Sequence, residues 1–191
     1  FRSLMDRGCV PRVALFASEE ELKGDAAVNL ERLKARKFPV VVIQRESDWS
    51  AFVRADDTEI IVDALLGTGV TRAVDGLYRE VIDSLPEYFP EAFVVAVDVP
   101  SGLAADSAKP IGPAVQANLT VTFTALKHCL VFPPAHKFAG EIVVTDIGNP
   151  ADVIDSPEHK LALITPEEFP NALHWREEDS HKGDYGRRSE E

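Results

Sequence analysis

The sequence predicts an α/β protein, a three-layer domain built on a mostly parallel sheet. Three observations predict it. Short runs rich in β-branched residues recur from residue 12 to residue 148, amphipathic helical stretches fall between several of them, and glycine-containing loops follow the runs rather than interrupt them. Strand, helix and strand in repetition give parallel neighbours joined by right-handed crossovers.

The elements follow in order. FRSLMDRG (1–8) reads as the end of a helix stopped at Gly8, so the strand and loop feeding it would lie upstream of Phe1. RVALF (12–16) is a strand. GDAAVNLERLKARK is a helix with Asp25 as N-cap, Val28, Leu30 and Leu33 near one face, and basic residues at its end. VVVIQ (40–44) is a strand, and SDWSAFVRA a shorter helix capped by Ser47 or Asp48. After the strand EIIVDALL (59–66), DGLYREVIDSL carries Leu77, Val81, Ile82 and Leu85 as one apolar stripe. FVVAVDV (93–99), LTVTFTA (119–125) and EIVVTDIG (141–148) are the remaining strands. Their continuous apolar character is that of strands buried on both faces. Beyond Gly148 the chain changes: NPADVIDSPEHK is a turn-rich linker, LALITPEEF holds a helix start at Thr165, and WREEDSHKGDYGRRSEE is charged and poor in core residues.

With 191 residues, 45% of them hydrophobic, the chain can bury a sizeable core. A net charge of -12 argues against a nucleic-acid footprint and suits a soluble, cytoplasmic enzyme. Cys9 and Cys129 make no disulfide framework, and no Cys/His spacing suits zinc. The apolar stretches are far shorter than the roughly 20 residues of a membrane span.

Ligands of open parallel sheets bind outside the carboxyl ends of the strands. Asp63, Asp98 and Lys127 fall there, on three successive strands. A single carboxylate in such a place serves equally as a helix cap or an acceptor for nearby amides; three groups together point to a ligand. Gly67-Thr68-Gly69 offers backbone N–H groups to an anion, with the positive end of the helix from about Asp75 behind them. GxGxxG, GxxxxGK[ST] and GxSxG are all absent, so dehydrogenase, P-loop and hydrolase readings gain no support. Asp63 and Ser101, in PSG (100–102), could together offer oxygens to a hard cation, with carbonyls and water completing the shell. Lys127 is either an exposed lysine or a ligand contact. His128 beside it reads as structural or exposed rather than catalytic.

In order and register, DALLGTGVTR (63–72), VVAVDVPSGL (94–103), AxxTVTFxxxK (117–127) and AGEIVVTDIG (139–148) closely resemble the NAD(P)H-hydrate epimerase family, the YjeF N-terminal domain. REEDSHKGDYGR (176–187) is similar to the opening of an ADP- or ATP-dependent NAD(P)H-hydrate dehydratase domain, which follows the epimerase in bifunctional repair enzymes. The expected division is an epimerase domain at 1–150 lacking its N-terminal part, a linker at 151–175, and the first residues of a dehydratase at 176–191. The resemblance implies a Rossmann-like fold, and a hydrated nicotinamide dinucleotide, NAD(P)HX, as substrate, interconverted between its R and S forms. It implies that Gly67, Thr68, Gly69, Val70, Thr71, Arg72 and Ala73 cradle the phosphates, that Asp98 contacts the hydrated ring and exchanges protons, and that Lys127 orients Asp98 or the leaving oxygen. It places a potassium ion on Asp63 and Ser101, and it implies a homodimer. There are departures. The family's NNGGD-type loop would lie upstream of Phe1, and His128-Cys129 stands where a glycine commonly follows the lysine. The rival reading is a non-catalytic nucleotide-binding or scaffold module of the same fold.

Overall fold

The structure is a computed structural model, which describes residues 2–54, 58–154, 156, 158, 161–168, 179 and 181. The chain divides into two units, residues 1–149 and 150–191, each described by itself.

In the first unit all six apolar runs form strands: β1 (Val13–Leu15), β2 (Val40–Val42), β3 (Ile60–Asp63), β4 (Phe93–Val97), β5 (Leu119–Phe123) and β6 (Glu141–Thr145). Every ladder is parallel. β1 pairs with β2, and a second sheet runs in the order β3-β4-β5-β6. The ladder is thus split in two among the described residues, because β1 bonds only to β2 and β3 only to β4.

The helices are α1 (Arg2–Met5), α2 (Gly24–Ala35), α3 (Glu46–Val53), α4 (Gly76–Tyr88) and α5 (His128–Val131). Past α1, the N–H groups of Gly8 and Cys9 donate to the carbonyls of Met5 and Leu4, with Gly8 at φ +82°. That left-handed residue is the expected stop. Two expected caps are corrected. Lys23 and Arg45 occupy the N-cap positions of α2 and α3. Asp25 lies inside the first turn of α2, where its charge still suits the positive helix end. Asp48, in the first turn of α3, reaches back to the Gln44 N–H at 3.2 Å.

The stripe on α4 buries Val81 and Ile82 as expected. Val81 packs with Ile43, Trp49 and Val53, while Ile82 packs with Val74 and Val115 beneath β4. Ser84 breaks the apolar pattern because the Trp49 indole donates to its hydroxyl at 2.9 Å. A third cluster joins Val99, Leu103, Cys129, Leu130, Ala135 and Ala139, drawing the chain after β4 and after β5 under Ile142.

Burial on both strand faces does not hold for the larger sheet. Ile60, opposite Phe93, is 62% exposed, and Val62, Phe93 and Val143 are exposed with it. The alternate residues Asp63, Ala96, Thr120 and Thr122 are buried. Among the described residues the helices and loops pack against that second face, and the apolar runs are covered on that side alone.

In the second unit, the expected linker holds a one-turn helix, α6 (Ala151–Ile154), and a 3-10 turn at Pro166–Glu168. Thr165 opens that turn, its N–H bonded to the Glu168 carboxylate at 2.9 Å. Apart from residues 179 and 181, the segment 176–191 that resembles a dehydratase lies outside the described residues. Among the described residues no helix is long and apolar enough to cross a membrane.

Candidate active site

The ends of β4 and β5 turn in the same unusual way. After β4, the Val99 N–H bonds to the Val97 carbonyl at 3.0 Å across Asp98, whose φ is +70°. After β5, the Ala125 N–H bonds to the Phe123 carbonyl at 2.7 Å across Thr124, whose φ is +67°. An i to i+2 bond around a positive φ is a strained γ-turn, and a β-branched residue at its centre is rarer still. Strain of this kind persists only where the surroundings over-determine it, and it gathers at functional sites. Here it occurs twice, on neighbouring strands, around one hollow.

The first turn sends the Asp98 carboxylate across β5. Its Oδ1 accepts from Lys127 Nζ at 2.6 Å, from the Phe123 N–H at 3.1 Å and from Thr122 Oγ1 at 3.2 Å. The second turn leaves the Phe123 carbonyl accessible to Lys127, which donates to it at 2.7 Å and to Thr122 Oγ1 at 2.9 Å. Burial pushes the Asp98 carboxyl up, but the bonds from Lys127, Phe123 and Thr122 and the lysine charge outweigh it and hold the group below its ordinary value. The pair borders a cleft of about 460 Å³ shared with Thr68, Asp106, Thr124 and His128.

Asp63 ends β3, 5% exposed. Its carboxylate grips the turn after β4: Ser101 N–H donates to Oδ2 at 2.8 Å and Ser101 Oγ to Oδ1 at 2.5 Å, while the Leu65 N–H reaches Oδ1 at 3.3 Å. Ser101 Oγ in turn accepts from the Leu66 N–H at 2.8 Å. Burial raises the Asp63 pKa, opposed by these hydrogen bonds. A buried carboxylate held by neutral donors, with no cationic side chain against it among the described residues, is electrostatically suited to a cation. The oxygens are hard donors, as an alkali or alkaline-earth ion requires. No group of three or more His, Cys, Asp or Glu side chains gathers among the described residues, so the knot offers one carboxylate and one hydroxyl.

Gly102 keeps that knot closed. At φ +97°, a Cβ there would lie 2.2 Å from the Pro113 carbonyl oxygen. Gly102→Ala is therefore expected to destabilise the fold by at least about 2–4 kcal/mol. A chemical denaturation midpoint lowered at unchanged m-value would show it.

Residues 67–73 form a loop between the knot and α4. Gly67, Gly69, Val70, Thr71, Arg72 and Ala73 line a second cleft of about 440 Å³, while Thr68 faces the first. A Cβ on Gly67 or Gly69 would meet nothing within 4 Å, so packing does not demand these glycines. The open space above them leaves backbone N–H groups accessible to a ligand, close to the start of α4.

The structure therefore brings Asp98 and Lys127 into direct contact, with Thr68 on the same cleft. It joins Asp63 to Ser101 in a buried knot that lines neither cleft. Sequence reasoning missed Thr122, Thr124 and Asp106. Thr122 carried a weak signal, a fully buried hydroxyl on an apolar strand, paired with Thr120 two residues before. Thr124 carried none, since its backbone strain is not written in its side chain.

An open parallel sheet with a braced acid–amine pair and a glycine loop at its carboxyl rim is the frame of a Rossmann-like protein. Residues 2–129 match the profile of the YjeF-related protein N-terminus, and the chain belongs to that family. It is similar to the bifunctional NAD(P)H-hydrate repair enzyme Nnr of Moorella thermoacetica, with 37% identity over 97% of this chain and 35% of that protein. The protein of the same name from Thermofilum pendens is 32% identical over 97% of this chain and 34% of its own. The NAD(P)H-hydrate epimerase of Pirellula staleyi is 33% identical over 75% of this chain and 63% of its own. The chain thus spans about a third of the length of the bifunctional relatives. Among solved structures, yeast ynu0 shares the fold, with a TM-score of 0.57 and 24% identity over 76% of this chain and 56% of that one.

Proposed function

We propose that this chain interconverts the R and S forms of hydrated NADH and NADPH, as the epimerase part of a nicotinamide cofactor repair protein whose whole chain also carries a dehydratase. The observation that carries the reading is the Asp98–Lys127 pair, fixed by three bonds to one carboxylate oxygen on the rim of an open cleft. The names of the similar proteins supply the substrate class.

The hydrated ring carbon bears a hydroxyl next to the ring nitrogen. Inversion follows if the hydroxyl leaves with the nitrogen lone pair forming an iminium-like species, and water then returns to the opposite face. Asp98, its Oδ1 occupied, presents Oδ2 as a carboxylate to the developing cation and to the proton of the entering water. Lys127 orients it and maintains its charge. The loop Gly67–Ala73 would receive the diphosphate on backbone N–H groups, with Arg72 supplying a positive charge. Asp63 and Ser101 would hold a potassium ion, which would supply a fixed positive charge to offset the buried carboxylate. A cytoplasmic location and a homodimeric state belong to the same reading and rest on the resemblance alone.

The test starts from one pure epimer of hydrated NADH, incubated with the protein in potassium buffer and followed by chromatography. Approach to the R/S equilibrium well above the spontaneous rate is expected. Tight binding of both epimers without acceleration would instead identify a nucleotide-binding module.

A further inference from the structure

Inversion by loss and return of a hydroxyl needs two proton carriers, an acid for the departing oxygen and a base for the entering water. The Asp98–Lys127 pair supplies only the second. All three N–H groups of Lys127 are engaged, on Asp98 Oδ1, Phe123 O and Thr122 Oγ1. Asp98 is held below its ordinary carboxyl value and carries no proton near neutrality.

Two more titratable side chains border the same cleft, Asp106 and His128. His128 opens α5 directly after Lys127, its ring against Phe132 with centroids 5.9 Å apart. Its Nδ1 lies 4.0 Å from Asp106 Oδ1, beyond hydrogen-bond reach, and that carboxylate is 98% exposed, so Asp106 adds a solvated negative charge near the ring and leaves both ring nitrogens open to a ligand. The charged groups on the cleft with the imidazole are Asp106 from the loop after β4, Asp98 at the end of β4, and Lys127, the residue before His128. Imidazole is the side chain that both gives and takes a proton near neutral pH.

We propose that His128, on the same cleft as the Asp98–Lys127 pair, is the acid that protonates the departing hydroxyl. This rests on the hydrate-epimerase reading and adds the group that reading lacks. In the step, the imidazolium gives a ring N–H proton to the hydroxyl oxygen and the C–O bond breaks. The ring nitrogen lone pair forms the C=N bond, water departs, and the imidazole is left neutral. Water then adds to the opposite face and its proton passes to the Asp98 carboxylate. Solvent returns one proton to His128 and removes one from Asp98.

The experiment compares wild-type protein, His128→Ala and Asp98→Asn in the single-epimer assay, with and without added imidazole. His128→Ala is expected to lose about 10²-fold or more in kcat with little change in KM, to melt with the wild type because its side chain is 42% exposed, and to regain activity in proportion to imidazole. Asp98→Asn is expected to gain nothing from imidazole. Wild-type kcat in His128→Ala, or a loss that imidazole does not restore, overturns the assignment while leaving the epimerase reading intact. A wild-type protein that accelerates neither epimer overturns both.

Discussion

Asp98→Asn is expected to reduce the rate of epimer interconversion by about 10²–10⁴-fold, the usual contribution of a positioned proton-transfer group. Asparagine is the informative replacement because it tolerates positive φ and so keeps the turn at φ +70°. Its carbonyl oxygen can still accept from Lys127, Phe123 and Thr122, so the fold should survive while the negative charge is lost. KM should change little if the loop Gly67–Ala73 supplies most of the binding. The pH dependence carries a second signature. Because the folded Asp98 value lies below the ordinary 3.8, its contribution to stability is complete above that range and is lost as pH falls through the folded value. Asp98→Asn should lack this part of the acid sensitivity. Urea midpoints of both proteins between pH 3 and pH 6 would measure it.

Asp63→Ala is expected to destabilise the fold markedly. It strips the acceptor from the Ser101 and Leu65 N–H groups, which costs about 2–4 kcal/mol in total, and it frees the turn carrying Ser101 from the loop after β3. The potassium assignment makes a separate prediction. Burial raises the folded Asp63 pKa above the ordinary 3.8, so this carboxyl's own contribution to stability falls as pH rises from there through the folded value. Above that value the carboxylate is ionised, and a cation can offset the burial of its charge. Potassium chloride should therefore raise the melting temperature at pH 7.5 relative to tetramethylammonium chloride of equal ionic strength. The gain should shrink at lower pH and vanish in Asp63→Asn. An equal gain in Asp63→Asn would place any bound potassium elsewhere.

Much of this was legible because it is periodic or local. The six β-branched runs and the stripe on α4 repeat at the spacing of their structures, and Gly8 marks a helix stop in place. The positions of Asp63, Asp98 and Lys127 at strand ends follow from strand length alone. What could not be read depends on long-range contact. Asp63 reads as a ligand-facing carboxylate, yet it turns inward because Ser101, 38 residues away, supplies two donors. The engagement of all three Lys127 donors needs Thr122 and Asp98 brought alongside from different strands. That arrangement is what changes His128 from an incidental neighbour into the group with a task. The exposed face of Ile60, Val62 and Phe93 was hidden for the converse reason: apolar composition shows that a strand can be covered on both faces, not what covers it.

In the proposed function the hydrated dinucleotide binds at the rim of β4 and β5 and on the loop Gly67–Ala73. Titrating NADH hydrate into isotopically labelled protein and following its backbone amides tests this most directly. Saturable shifts concentrated at residues 67–73, 98–102 and 122–128 are the predicted result. Shifts confined to the open face of β3 and β4, or to the second unit, would contradict it.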